Sequence, residues 1–290
     1  MRVCFVSVPF DLGRYNFGQG LGPRKLMSSG LDRLVSEAGH TPDSKTVVCN
    51  EAETLTDIQT TFRLNALLSE TIADLAEAET FPIVLAGNCI TSAGTISGLH
   101  DESTGVLWLD AHADFNTPET TTSGYLDGMA LSVACGRCWR NLAATDPRYL
   151  PVREERVTLV GARDLDTAEA ELLSSSPIKS VSKDQLKAGG FQLPRNATPE
   201  TRSLFIHLDA DVLDPSIGPA NAFATAGGLT EREVTSLLGW AVASYRVIGA
   251  AVTAFSPAHD ETGAVRQTLV QIILSLVNAV GAKEGHPGSR

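Results

Sequence analysis

Two short stretches of the chain hold side chains that could grip a divalent cation. Asp110, His112 and Asp114 alternate in Asp110-Ala-His-Ala-Asp114, and Asp209, Asp211 and Asp214 cluster in Asp209-Ala-Asp-Val-Leu-Asp214. Successive side chains of an extended chain point to opposite faces. Asp110, His112 and Asp114 would then share one side, as would Asp209 and Asp211. Carboxylates packed together without counter-ions repel, and some must protonate. Divalent cations remove that conflict, and carboxylate oxygen with imidazole suits manganese or other borderline metals. A single aspartate after a strand ordinarily caps a helix or closes a turn. Two clustered motifs, each directly following an apolar run, point instead to a cation site.

A third apolar run also ends in polar groups, Leu85-Ala86-Gly87-Asn88-Cys89. Ligands gather at the carboxyl ends of parallel strands, so the three ends could meet at one place. The elements that must position them follow from the spacing of apolar residues. Residues 3–8, 46–48, 81–85, 105–109, 157–160, 204–208 and 247–252 read as strands. Residues 23–38, 57–77, 91–99, 167–173, 231–244 and 262–279 carry the 3.6-residue period of helices. This alternation predicts βαβ units and an α/β fold, with a mainly parallel sheet covered on both faces. The longest irregular stretches, residues 110–128 and 209–228, hold the two aspartate motifs, and long loops inside a compact domain are usually functional.

The chain has 290 residues, is 43% hydrophobic and carries a formal net charge of -11. An acidic surface repels phosphates, so no nucleic-acid partner is expected. The first nine residues read as a strand rather than a signal peptide. No run of about 18 apolar residues occurs, so no membrane span is expected. Five scattered cysteines argue against a disulfide framework and for a reducing, cytoplasmic setting.

The segment Asp110-Ala-His-Ala-Asp-Phe-Asn-Thr-Pro-Glu-Thr-Thr-Thr-Ser-Gly124 resembles the metal-binding loop of the arginase family of ureohydrolases. So does Asp209-Ala-Asp-Val-Leu-Asp-Pro-Ser216, followed by Gly227-Gly-Leu-Thr230. Gly18-Gln-Gly-Leu-Gly-Pro-Arg24 and Val160-Gly-Ala-Arg-Asp-Leu-Asp-Thr-Ala-Glu169 extend the match over most of the chain. The resemblance implies a three-layer α/β/α sandwich and a centre of two divalent ions, manganese first. It also implies metal-assisted hydrolysis of a guanidino or amidino C–N bond. Residues 1–282 would form one arginase-like catalytic domain, with a disordered tail at 283–290. Relatives suggest a homo-oligomer, trimer or hexamer.

Carried over by position, Asp110 and Asp209 would bridge both metals. Asp114 and Cys89 would complete one metal, and His112 and Asp211 the other. Asp211 or a neighbouring carboxylate would steady the tetrahedral intermediate. Asn116 and Ser123 match groups that contact a substrate α-carboxylate. Asp166 and Glu169 match acids near the α-amino group, and the expected substrate is therefore an α-amino acid.

Three positions depart from the family pattern. Cys89 stands where the family places a histidine ligand, and a thiolate there would shift preference toward zinc. Asp127 stands where arginases place a proton-shuttling histidine. Ala254 stands where the family has a glutamate that grips the guanidinium, with Asp260 and Glu261 as nearby substitutes. Phe223 adds a bulky apolar group near the expected pocket. These changes favour a modified arginine, such as one hydroxylated on its terminal nitrogen. The alternatives are a non-catalytic relative that binds an amino acid or a partner, or a metal enzyme of different chemistry. Cys135-Gly-Arg-Cys138 reads as structural, and His207 is expected to face the layer opposite Asp209.

Overall fold

A computed structural model describes residues 1–99, 102–190 and 201–284. Its strands are β1 (Arg2–Val8), β2 (Phe10–Asp11), β3 (Arg14–Tyr15), β4 (Thr41–Thr46), β5 (Phe81–Ala86), β6 (Thr104–Leu109), β7 (Val157–Val160), β8 (Lys179–Val181), β9 (Ser203–Asp209) and β10 (Arg246–Thr253). Its helices are α1 (Gly22–Met27), α2 (Leu31–Glu37), α3 (Asp57–Glu77), α4 (Thr91–Leu99), α5 (Ala130–Ala134), α6 (Arg140–Ala143), α7 (Thr167–Ser174), α8 (Lys183–Ala188), α9 (Glu231–Ser244) and α10 (Ala264–Glu284).

Eight strands form one sheet in the order β4-β1-β5-β10-β9-β6-β7-β8, with every neighbouring pair parallel. Strands β2 and β3 make a separate short hairpin. Side-chain alternation along each strand splits the core into two layers. Val3, Phe5, Leu107 and Leu109 pack with the apolar faces of α1, α2, α9 and α10. Cys4, Val6, Val106 and Trp108 pack on the other side with α3, α4 and α5. This is the α/β/α sandwich expected.

Strands β5 and β6 follow one another in sequence, yet β10 and β9 lie between them in the sheet. The chain reverses its direction of growth there, and such a switch opens a crevice beyond the strand ends. The carboxyl ends of β5, β10, β9 and β6 are thus adjacent. These four ends carry Cys89, Ala254, Asp209 and Asp110.

Local chemistry explains where elements begin. Thr56, Thr230 and Ser182 each form a capping box, with Gln59, Glu233 and Gln185, and start α3, α9 and α8. The helix expected over residues 23–38 is broken in two, because Gly30 takes a left-handed conformation, φ 81°. The strand expected at 46–48 lies earlier, at β4. Its polar sequence Thr-Pro-Asp-Ser-Lys-Thr forms an exposed edge that needs no apolar signal.

Helix α10 runs past the expected end at residue 279. Lys283 belongs to it and donates to the carbonyls of Val242 at 2.6 Å and Tyr245 at 2.9 Å, so the tail does not begin there. Glu284 still belongs to α10, and the remainder of the expected tail, residues 285–290, lies outside the described residues. By length and composition α10 could cross a membrane, but Val265, Leu269, Ile272, Ile273, Leu276 and Val277 are buried in the core.

Candidate metal centre

The first aspartate loop leaves β6 at Leu109. Asp110 is fully buried. Its Oδ1 accepts the His112 backbone amide at 2.8 Å and its Oδ2 accepts the Trp108 indole at 3.1 Å. The chain does not stay extended. Asp114 turns into the left-handed region at φ 52°, and its carbonyl accepts the amides of Leu131 and Ser132, which start α5. The Asp114 side chain is 6% exposed, and its buried Oδ2 has no hydrogen-bond partner.

The second loop curls at once. Asp209 Oδ1 accepts the Asp211 amide at 2.7 Å and caps a 3-10 turn over Ala210–Val212. Asp211 Oδ1 accepts the Ala111 amide at 3.3 Å, which ties the two loops together. Asn221 donates to Asp211 Oδ2 at 3.1 Å and to the Ala254 carbonyl at 3.0 Å. Arg163 straps this loop by donating to the carbonyls of Asp211 and Thr225, each at 2.8 Å. Asp214 points away. It accepts the amides of Ser216 and Gly227, each at 2.9 Å.

The third loop follows β5. A Cβ on Gly87 would collide with the backbone of Phe10 and Gly20, so only glycine lets this loop approach the hairpin. Cys89 is buried, with its Sγ 2.8 Å from Asp209 Oδ2 and 3.1 Å from Thr253 Oγ1. Asn88 accepts the Leu12 amide at 2.7 Å and donates to Asp127 Oδ2 at 3.0 Å. Asp127 Oδ1 accepts the Ile90 amide at 2.9 Å.

His207 does not face the layer opposite Asp209. The two-residue period of β9 puts both on one side. His207 is fully buried, stacked on Trp108 with ring centroids 3.6 Å apart, and its Nδ1 lies 2.7 Å from Ser92 Oγ. Burial pushes the imidazole down to about 3, which leaves it neutral.

Crowded burial shapes the protonation of the cluster. Burial first, then neighbouring carboxylates, raise Asp114 and Asp209 well above the carboxylate range. Burial and Asp110 bring Asp211 up to about 6. Burial works against a charged Asp110, but the hydrogen bond and charge of His112 hold it below its ordinary value. Burial alone would lower His112, yet Asp110 and Asp211, 3.4 and 3.5 Å from its Nδ1, raise it to about 9. The Cys89 thiol is pushed far up by burial and then by Asp209.

These residues suit divalent cations. Inward-turned acids resist ionisation, and a buried Asp114 oxygen has no partner. Carboxylate, imidazole and thiol donors also converge. Ligand atoms of Asp110, His112 and Asp211 lie within 4.8 Å of one another, as do those of Cys89, Asp110, His207 and Asp209. Asp110 belongs to both groups, Asp209 to one and Asp114 to neither.

Above the cluster opens a cleft of about 500 Å³. Cys89, His112, Asp114, Asp209 and Asp211 form its floor, and Asp110 lies beneath. Asn116, Ser123, Asp127, Asp166 and Glu169 line it, so the metal and substrate residues carried over by position meet here, while Asp214 does not. Asp166 precedes α7 but does not cap it. Instead its Oδ2 accepts Asn116 Nδ2 at 3.3 Å and its carboxylate accepts Thr122 Oγ1, also at 3.3 Å. Glu169 turns inward to accept the Phe115 amide at 2.9 Å, and burial raises it to about 7. Burial brings Asp127 to about 7 as well, against the hydrogen bonds from Ile90 and Asn88.

Asp260 and Glu261 do not line this cleft. Asp260 accepts the amides of Val265 and Arg266 at the start of α10. Ala254 leaves an apolar spot in the wall of a cleft that Phe223 and Tyr125, with rings 5.7 Å apart, also line. Asn88, Asn221, Gln19 and Tyr125 escaped the sequence reading. Gln19 and Asn88 stand inside quoted motifs and Tyr125 and Asn221 inside the long irregular stretches, but nothing in the spacing singled them out. Cys135 follows α5 and Cys138 is buried, and neither joins a metal-binding group among the described residues.

The arginase of Bacillus subtilis (strain 168) is 27% identical over 288 residues, covering 95% of this chain and 97% of the relative. The crystal structure of arginase from Bacillus subtilis superposes with a TM-score of 0.83 at 26% identity, over 96% of this chain and 98% of that one. An Entamoeba histolytica arginase structure in complex with L-ornithine shares the fold, with a TM-score of 0.84 at 21% identity, over 95% of this chain and 97% of that one. The family model described as Arginase family matches residues 1–278. The chain therefore belongs to the arginase family, ureohydrolases that act on C–N bonds of linear amidines.

Proposed function

We propose that this ureohydrolase cleaves the terminal C–N bond of a modified arginine, with Nω-hydroxyarginine as the leading candidate, to give ornithine and a urea-type product. The observation that carries the proposal is the contrast inside one cleft. The acidic floor has the donors for two cations, whereas Ala254 offers no carboxylate at the one wall position where the family likeness puts an acid to pair a guanidinium. A hydroxylated terminus carries less positive charge than a plain guanidinium and needs that acid less.

Asp110, His112, Asp114, Asp209, Asp211 and Cys89 would hold the metals, manganese first by the oxygen and imidazole donors and zinc second because of the thiol. Bound cations would supply Lewis acidity and a water acidic enough to act as a nucleophile near neutral pH. The residues of the chain then bind, orient and move protons. Asn116 and Ser123 face the substrate α-carboxylate, and Asp166 and Glu169 the α-amino group. Asp127 is pinned by Asn88 and Ile90. Held at about 7, it keeps a proton that a free carboxyl would lose, and it can give that proton to the leaving amine. Asp211, fixed by Asn221 and Ala111, would steady the tetrahedral intermediate by accepting hydrogen bonds from its N–H groups. The setting would be cytoplasmic, with one catalytic domain over residues 1–282, repeated in a trimer or hexamer by family likeness.

Purified protein loaded with manganese should release ornithine from Nω-hydroxyarginine with a higher kcat/KM than from arginine, agmatine or formiminoglutamate. Ala254→Glu should move the preference toward arginine. Faster turnover of arginine by the unaltered protein would overturn the substrate assignment, and no turnover across the panel would overturn the hydrolase reading.

A further inference from the structure

The family likeness puts a histidine where this chain has Cys89, so the centre has lost one imidazole from the β5 loop. The tertiary structure supplies another from a different element. His207 lies on β9, beside Trp108 of β6 and Ala251 of β10 in the sheet register. It is fully buried, and its Nε2 has no hydrogen-bond partner. A ligand atom of this ring lies within 4.8 Å of those of Cys89, Asp110 and Asp209. We propose that His207 is a metal ligand of this chain, replacing from strand β9 the imidazole that the β5 loop lost at Cys89.

Three features of the packing prepare the ring for that role. Trp108 stacks on it at an interplanar angle of 15° and fixes its plane. Ser92 Oγ, at 2.7 Å, engages Nδ1. In the tautomer with Nδ1–H donating to Ser92, Nε2 keeps its lone pair, the arrangement a metal-bound imidazole needs. Asp110 takes its own hydrogen bond from the Trp108 indole, so the same aromatic side chain orients two donors. A lone pair buried beside carboxylates has no favourable partner except a cation or a proton. A buried polar atom left without one destabilises the metal-free protein.

The inference rests on the two-metal reading of the cluster, and its test separates the two. The full-length protein, with its histidines labelled by ¹⁵N, is loaded with manganese and studied by pulsed electron paramagnetic resonance. Two directly bound imidazoles, from His112 and His207, are expected. His207→Gln should lose one set of nitrogen couplings and bind manganese about 10- to 100-fold more weakly in equilibrium dialysis. Ser92→Ala, which only releases the ring, should keep both couplings and weaken binding by a smaller factor. Two metals with a single bound imidazole in the unaltered protein would overturn the role of His207 and leave the metal centre intact. No bound metal would overturn both. The unaltered protein decides the matter even if His207→Gln does not fold, and couplings unchanged in a folded His207→Gln would overturn the proposal directly.

Discussion

The two aspartate loops look alike as strings of letters but use their last acid in opposite ways. In the β6 loop, Asp114 turns inward at φ 52°, is 6% exposed and leaves Oδ2 without a partner. In the β9 loop, Asp214 swings out, accepts two backbone amides and sits at about 2, below its ordinary 3.8. Hydrogen bonds to the charged form stabilise it, and burial without partners does the reverse. One acid therefore waits for a cation and the other holds a turn closed. The lesson is that acid spacing after a strand marks a loop, but the path of the backbone decides which acid does chemistry.

The contrast can be broken hardest at Asp110, which belongs to both metal groups, and at Asp209, which belongs to one. Asp110→Ala or Asp209→Ala should lower metal affinity by about 100-fold or more and bring ornithine release to background. Metal content after dialysis, with activity measured alongside, checks it. Activity that survives in both would end the metal reading of these loops.

Asp127 lies between the loops and tests the proton role. Asp127→Asn should keep its metals while kcat falls about 10²- to 10⁴-fold. As a proton donor it must be protonated, and hence neutral, which holds below about 7, so activity of the unaltered protein should decline as pH rises above that value. A pH–rate profile unchanged in the variant would remove Asp127 from catalysis.

The inward acid should give an effect whose sign depends on the metal. Its folded pKa is raised by burial, so the metal-free protein loses stability as pH rises above the ordinary 3.8, where the unfolded chain gives up this proton and the folded one keeps it. Asp114→Asn should therefore raise the melting temperature in chelator at pH 7, by the equivalent of about 1–3 kcal/mol. In saturating manganese it should lower it. The same sign in both conditions would refute the division between the loops.

The outward acid should give the smallest effect. Asp214→Asn should lose about 1 kcal/mol of stability near neutral pH and leave the activity of folded protein unchanged. Because the folded pKa is depressed, that stabilisation is present above 3.8 and fades as pH falls toward about 2. Melting curves of the two proteins should then converge in acid.

Much of this was legible in the chain because it obeys local rules. Strands β5, β6 and β9 are continuous apolar runs, and α3 and α9 announce themselves by capping boxes and period. The edge strand β4 was misplaced since its six polar residues have nothing to bury. The helix at 23–38 was read through Gly30, whose φ no apolar pattern reveals. Asp260 looked like a stand-in for a missing acid from nearness in sequence alone, and the start of α10 claims it instead.

The letters were enough to name the donors, because aspartate, histidine and cysteine carry their chemistry in the side chain and follow apolar strands at short range. They could not say which donors share a metal group or where the missing imidazole went. Cys89 meets Asp209 across 120 positions of sequence, and His207 meets Ser92 across 115. Such contacts depend on the order of strands in the sheet, which brings β5, β10, β9 and β6 side by side. That order follows from packing two helical layers on one twisted sheet, a property of the whole core that no local run of residues carries.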